Sequence, residues 1–231
     1  RMAGLAGSLG MARPAWSQAL AEIMDGLNPA RDWDVFLHET LPAVEPVLTD
    51  PPLGEDMARR VRHAAHLARQ SAQALVAAPA FTRLVLEVGA SLHAEAGDGV
   101  AAGDWAASLL DKRWKALRKL GAGLRADRPG ALHAARIAAK KLRYAADALS
   151  GLYGKGGKRF VGRLAELQDC LGRANDAYVA RRLLDGLRRD GMAQAYDAGR
   201  LAGVLAERMA HGNPACRQVW RRLAETRPFW R

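Results

Sequence analysis

The sequence is poor in cysteine, in aromatic residues and in β-branched residues, and it has no long apolar run. Only Cys170 and Cys216 are present, each within a helical pattern. No disulfide framework is expected from them, and such usage fits a reducing compartment, hence a cytoplasmic location. Aromatics make up 6% of the chain, and few of them sit among the basic clusters. Readers of single-stranded bases stack those bases on aromatic rings, so this scarcity argues against an RNA or single-stranded DNA reader. No stretch of about 18 apolar residues occurs, so no membrane span and no membrane partner are expected. The shortage of β-branched residues disfavours strands. The chain opens on Arg1, so its lack of a signal peptide carries little weight.

What is abundant is alanine, leucine and arginine. Those residues favour helix, and the fold class expected is all-α. The 231 residues, 49% of them hydrophobic, suffice for a sizeable core. The formal net charge of +11 predicts attraction to a phosphate polymer or an anionic surface without choosing between them.

Apolar residues recur at spacings of 3 and 4, between punctuation expected to form turns. These turns are Asn28-Pro29, Pro42 to Gly54, Gly97 to Gly103, Asp127 to Gly130, Gly151 to Gly157, Gly172, Gly191 and Gly212 to Pro214. The chain also echoes itself. At an offset of 144, Leu20, Ala21, Glu22, Asp25, Leu27, Ala30, Asp32 and Val35 each meet an identical residue. At an offset of 106, the segment around Trp114 resembles that around Trp220. The echoes predict a helical bundle of two pseudo-symmetric, unequal halves within a single domain 1–231, residues 1–126 and 127–231, meeting near 125–131. In both halves a tight helical hairpin is expected. Gly172 would end one helix and Asn175 or Asp176 cap the next, with Asn28 and Asp32 in the corresponding places. Glu22/Asp25 and Glu166/Asp169 are expected to pair with cations of neighbouring helices.

The stretch from Leu132 to Leu149 is a helix with two incompatible faces. At 100° per residue, His133, Arg136, Lys140, Arg143, Tyr144 and Asp147 share an arc roughly 100° wide. Leu132, Ala135, Ala138, Ala139, Leu142, Ala145, Ala146 and Leu149 fill the opposite arc. A solvated face normally mixes charge signs, with acids four residues before bases. This stripe has three cations, a histidine and one acid at its end. Like charges in register repel unless an anion lies across them, so a polyanion suits the stripe; a merely solvated basic face is the competing reading.

Three features follow one another: H-x-x-R-I-x-x-K-K-L-R-Y from His133 to Tyr144, a glycine-rich turn with Lys158-Arg159-Phe160, and L-x-x-L-Q-D-x-L-G-x-x-N-D from Leu164 to Asp176. Together with Arg227-Pro228-Phe229-Trp230 and Ala30 to Phe36, they resemble the CHAD family, the conserved-histidine α-helical domain. The resemblance implies an all-helical fold of two pseudo-symmetric halves. It also implies binding of inorganic polyphosphate in a basic channel, often beside an attached or partner triphosphate-tunnel (CYTH) domain, and targeting to polyphosphate granules. Carried onto this chain, it assigns His133, Arg136, Lys140, Arg143 and Tyr144 to the anion, with Lys141 at the stripe's edge. Lys158, Arg159 and Arg163 follow as basic candidates, as do Arg31 and Arg173 in the expected hairpins and Arg113, which flanks an apolar face. Arginine offers bidentate bonds to phosphate oxygens, while lysine acts as a point charge. The family's other basic helix, at the start of the first half, is expected either upstream of residue 1 or lost.

Metal, cofactor and enzyme chemistry find little support. His63 and His66 lack the partners of a zinc site. Pro42 stands where a metalloprotease's second histidine belongs after His38-Glu39. Gly154 to Gly157 is not a P-loop, since no strand precedes it and Arg159 follows Lys158; a flexible loop is expected there. A DNA-associated basic protein and a phosphate-transfer enzyme using His133 are the alternatives to a non-catalytic polyphosphate binder.

Overall fold

The computed structural model describes residues 14–48, 51–93, 102–125, 130–187 and 192–231, with side chains at 92, 93, 102, 122, 125, 154–156, 192–194 and 210–213 excepted. Among the described residues there is no strand, and the all-α expectation holds. We number the long helices α1 (Trp16–Val35), α2 (Glu55–Ala77), α3 (Pro79–His93), α4 (Ala102–Arg125), α5 (Ala131–Leu149), α6 (Lys158–Leu187) and α7 (Met192–Ala224). The chain divides into two compact units. One holds Gly97–Asn175 and Met209–Arg231, the other Met2–Ala96 and Asp176–Arg208. This division differs from a cut at 126/127, because α4 packs along α5 within the first unit. Residues 126–129, where the halves were expected to meet, lie outside the described ones.

In the first unit, α4 buries Ala106, Leu109, Leu110, Trp114, Leu117 and Leu124. Helix α5 buries Ala135, Ala139, Leu142, Ala145 and Ala146. Small side chains let two helix axes approach closely, toward the lower end of the usual ~8–10 Å range. Gly130 precedes α5 at φ 74° and its carbonyl accepts from the Ala134 N–H at 3.0 Å. That left-handed backbone is open to glycine without the Cβ penalty other residues meet.

An aromatic cluster fills the other side. The Trp114 ring lies 5.3 Å from Phe160 and 5.9 Å from Trp220, centroid to centroid. The two tryptophans of the shorter sequence echo thus touch each other. Gly121 makes room for them: a Cβ there would lie 2.1 Å from Trp220. The C-terminal Phe229 and Trp230 join the cluster, Trp230 at 5.0 Å from Phe160 and edge-on to it. Edge-to-face pairs place the positive ring edge on the negative face of a neighbour. The end of the chain is moored at Asp111, which accepts from Trp230 Nε1 at 2.7 Å and Arg231 Nε at 2.9 Å. The Arg231 hydrogen bond holds the Asp111 carboxyl below its usual range, helped by Trp230 and opposed by partial burial.

In the second unit, Trp16, Ile23 and Leu84 form a core with Leu20, Leu27, Leu75, Phe81 and Val88 packed against it. Gly26 fits where a Cβ would meet Leu75 at 2.7 Å. After α1 the helix widens to a π-turn at Phe36–Thr40 and continues through Leu41–Val44 and a 3-10 turn at Glu45–Val47. Pro42 offers no N–H to the carbonyl four residues before it, and widening the turn accommodates that loss. The connection expected over Pro42 to Gly54 therefore begins only near Leu48. Its far end is clamped from α7: Asp197 accepts from the Gly54 N–H at 3.1 Å, and Arg200 donates to the carbonyls of Pro51 and Pro52.

Three expected breaks are absent. Helix α6 runs through Gly172, α1 through Asn28-Pro29, and α7 through Pro214. The hairpins expected there do not form, and Asp32 is no cap: it accepts from Arg182 on α6 at 3.3 Å. Propensity lost to the competition. Leu171 and Ala174 are buried beside Gly172, and Ala30 is buried beside Pro29, with Ile23 buried six residues earlier. Burying a large apolar side chain stabilises by about 1.5–3 kcal/mol, more than the ~1 kcal/mol helix penalty of glycine and of the same order as proline's. Glycines 151 to 157 are likewise ordered, as a 3-10 stretch, Ser150–Gly157, leading straight into α6. Gly191 and most of Gly97 to Gly103 lie outside the described residues.

Gly121→Ala is expected to destabilise by about 1–3 kcal/mol through overpacking against Trp220. Gly162→Ala, at an exposed α6 position with nothing within 4 Å of its Cβ, should stabilise by about 0.5–1 kcal/mol. Urea unfolding of both variants checks the pair; loss in both would mean that α6 is not solvent-facing at Gly162.

Asp111 gives a pH signature. A carboxyl with a depressed folded-state pKa contributes stability that is complete above its unfolded value, about 3.9, and lost as pH falls through the folded value. The stability gap between the wild type and Asp111→Asn should therefore narrow as pH drops from about 5 to about 2. A gap constant over that range would show that the carboxylate charge contributes nothing.

Candidate functional site

Helix α5 turns its two faces as its periodicity requires. Five residues of the alanine–leucine arc are buried. On the other arc His133 and Asp147 are exposed, and Arg136, Lys140, Arg143 and Tyr144 are half-buried. Half-burial of a long cationic side chain can bury the stem and leave the charge in water, but in Arg143 the guanidinium Nε is itself buried and makes no hydrogen bond. Lys141 is exposed at the stripe's edge.

The stripe is unevenly compensated. Arg143 Nε stands 3.6 Å from Asp147 Oδ2, one turn on, and Nη1 donates to Gln168 Oε1 at 3.4 Å. Lys140 Nζ lies 5.9 Å from the centroid of the Tyr144 ring, a cation–π contact. Among the described residues, Arg136 and Lys140 have no acidic partner. At the helix start, His133 Nδ1 lies 3.0 Å from Asn175 Oδ1 on α6. Gln168 and Asn175, seven residues apart, occupy one face of α6 and meet the stripe with neutral amides. Sequence reasoning read Asn175 as a helix cap and passed over Gln168. Their i, i+7 spacing was visible, but the partner helix was not.

The remaining candidates divide. Arg113 reaches across from α4 and donates to the Lys141 carbonyl at 2.5 Å; burial lowers its pKa. It is a brace between α4 and α5. Arg163 is paired with Glu166 of its own helix at 2.9 Å, so its charge is offset locally. Lys158, Arg159 and Arg173 are exposed on α6 within the same unit. Arg31 is exposed in the second unit. Lys115 and Lys119 are exposed while Trp114 and Leu117 are buried, as the sequence pattern requires. Three of the four acids expected to pair with neighbouring helices bond locally instead: Glu22 accepts from Gln18 at 2.9 Å, Asp25 from Asn28 at 3.5 Å, and Glu166 from Arg163. Among the described residues, no group of three or more histidines, cysteines and acids could hold a metal ion. No single described helix is long and apolar enough to cross a membrane.

The two cysteines are bonded to each other. Cys170 and Cys216 have Cα atoms 5.6 Å apart and join α6 to α7, correcting the expectation of no disulfide. They are separated by 46 residues and belong to no repeated cysteine pattern, so only the packing of α6 on α7 brings them together. Cys170 points away from Gln168 and Asn175, being about 200° around the helix from the first.

The fold and this helix pair define the class: an all-helical protein presenting a cationic helix face flanked by neutral amides. Comparison with known proteins agrees. The family profile described as the CHAD domain matches residues 3–185, and the chain belongs to that family. It is also similar to the crystal structure of the CHAD domain from the plant Ricinus communis, with 28% sequence identity and a TM-score of 0.80. That match covers 97% of this chain and 77% of the plant chain. No curated protein matches significantly.

The disulfide closes a long loop and should stabilise the fold by about 2–4 kcal/mol, mostly by restricting the unfolded chain. A thiol reductant is expected to lower the unfolding midpoint of the wild type and leave that of a Cys170→Ala/Cys216→Ala variant unchanged. Equal sensitivity of the two proteins would show that the cysteines are unpaired in solution.

Proposed function

We propose that this chain binds inorganic polyphosphate, without hydrolysing it, along the α5 stripe of His133, Arg136, Lys140, Arg143 and Tyr144. Lys141, Lys158, Arg159 and Arg173 add to the basic surroundings. The observation that carries this reading is the incomplete compensation of the stripe: one acid, Asp147, stands among three cations, and Arg136 and Lys140 face none among the described residues. Membership of a family associated with polyphosphate supports it. So does the net charge of +11, which favours a polymer bearing roughly one charge per phosphate. Binding releases condensed counterions, so affinity falls steeply with salt. In the cell such a module would carry its protein to polyphosphate granules, alone or beside a triphosphate-tunnel domain.

Replacing Arg136 and Arg143 with alanine should weaken binding of long-chain polyphosphate more than replacing Lys115 and Lys119. A charge-assisted bond from a half-buried arginine contributes on the order of 1.5–3 kcal/mol. An exposed lysine outside the stripe acts through screened long-range attraction only. Titration of both double variants at fixed ionic strength, with duplex DNA as competitor, measures the difference. Equal losses would mean that net charge carries binding. Preference for duplex DNA, or release of phosphate by the wild type, would replace the proposal with one of its alternatives.

A further inference from the structure

The polar contact at the start of the stripe fixes the chemistry of His133. Asn175 Oδ1 is an acceptor with no hydrogen to give, so the ring nitrogen 3.0 Å away must be the donor. With that oxygen facing it, the contact needs His133 to carry its proton on Nδ1. In the neutral ring Nε2 then holds a lone pair, which repels a phosphate oxygen. Only the imidazolium offers an Nε2–H to an anion while keeping its bond to Asn175. The ring is exposed, so Nε2 can exchange protons with water. Gln168, on the same face of α6, treats Arg143 alike, accepting from its Nη1 at 3.4 Å. A carboxylate at either position would orient its partner too, but would cancel the charge that holds the anion. An amide orients without cancelling.

We infer that Asn175 is a positioning residue which locks His133 in the Nδ1–H form, so that polyanion binding draws one proton from solvent onto His133 Nε2. This rests on the polyphosphate reading. Of the charged residues along the two helices, Arg136 lies one turn further on α5 and Asp176 follows Asn175 on α6, while Arg173, two residues before Asn175, is about 200° around α6 from it. An anion at Nε2 favours the protonated ring. Affinity thus rises as pH falls through the range in which histidines titrate, and proton uptake accompanies binding.

Nitrogen-15 NMR of the histidine ring in the free protein at pH 8 tests the positioning without any ligand. The wild type should show a pyrrole-type Nδ1 and a pyridine-type Nε2 at His133. Asn175→Ala should shift the ring toward the Nε2–H form, and Asn175→Asp, which keeps the acceptor, should restore Nδ1–H. An Nε2–H ring in the wild type, or a ring unmoved by Asn175→Ala, overturns the inference.

Calorimetry with long-chain polyphosphate in two buffers of different ionisation enthalpy tests the proton. The wild type should take up protons near pH 7.5, and His133→Phe should take up fewer. Asn175→Asp should bind roughly threefold to tenfold more weakly than wild type despite its correct ring form, because its charge opposes the anion. Proton uptake unchanged by His133→Phe overturns the linkage. Absence of any polyphosphate binding by the wild type would sink the functional reading and the linkage together, while the NMR result still decides what Asn175 does to His133.

Discussion

A helix with alanine on one arc and cations on the other has one low-energy way to pack. Moving a cation into the interior costs several kcal/mol even after relaxation, whereas burial of each methyl-sized group returns about 0.8 kcal/mol. Helix α5 settles accordingly: Ala135, Ala139, Leu142 and Ala146 are fully covered, and the cations stay at the surface. The alanines also set how closely α4 approaches, which is what lets Arg113 of α4 reach the Lys141 carbonyl. The geometry of the stripe is thus a consequence of the core beneath it.

Holding cations in one arc carries an electrostatic cost, and the molecule relieves it only in part. Asp147 offsets Arg143 and the Tyr144 ring faces Lys140, yet Arg136 is opposed by no acid among the described residues. Two unlike charges some 4 Å apart near a surface attract by about 4 kcal/mol at an effective dielectric of 20, so an acid in that place would be strongly held and would also block an incoming anion. Amides at Gln168 and Asn175 avoid this. They satisfy donors on the stripe while leaving its net charge available.

Helix α6 has to be long and straight for this to work, because Gln168 and Asn175 are two turns apart on one face. Its continuity through Gly172 depends on the buried Leu171, Ala174, Ala177 and Ala180, and its opposite side is tied to α7 by Cys170 and Cys216. Around the first turns of the same helix, Phe160 is enclosed by Trp114, Phe229 and Trp230. The C-terminal residues hold the start of α6 in place through that cluster and the Asp111 mooring.

The helical class, the burial of α5's alanine arc and the position of its cations on the opposite arc were legible in the sequence. Each follows from a 3.6-residue period and from the difference in solvation between methyl groups and charges, and both are local. The position of Gly130 as a turn was legible for the same reason. Tertiary structure alone decided where helices fail to end and which distant residues meet. Gly172, Pro29 and Pro214 read as stops, yet the helices run through them; at Gly172 the burial of Leu171 and Ala174 outweighs the helix penalty. Cys170 with Cys216, Asp111 with Trp230 and Arg231, Arg113 with Lys141, and His133 with Asn175 lie between 28 and 120 residues apart. No periodicity specifies such pairs. They exist because packed helices bring particular faces together, and the direction of each face is fixed only once its neighbours are in place.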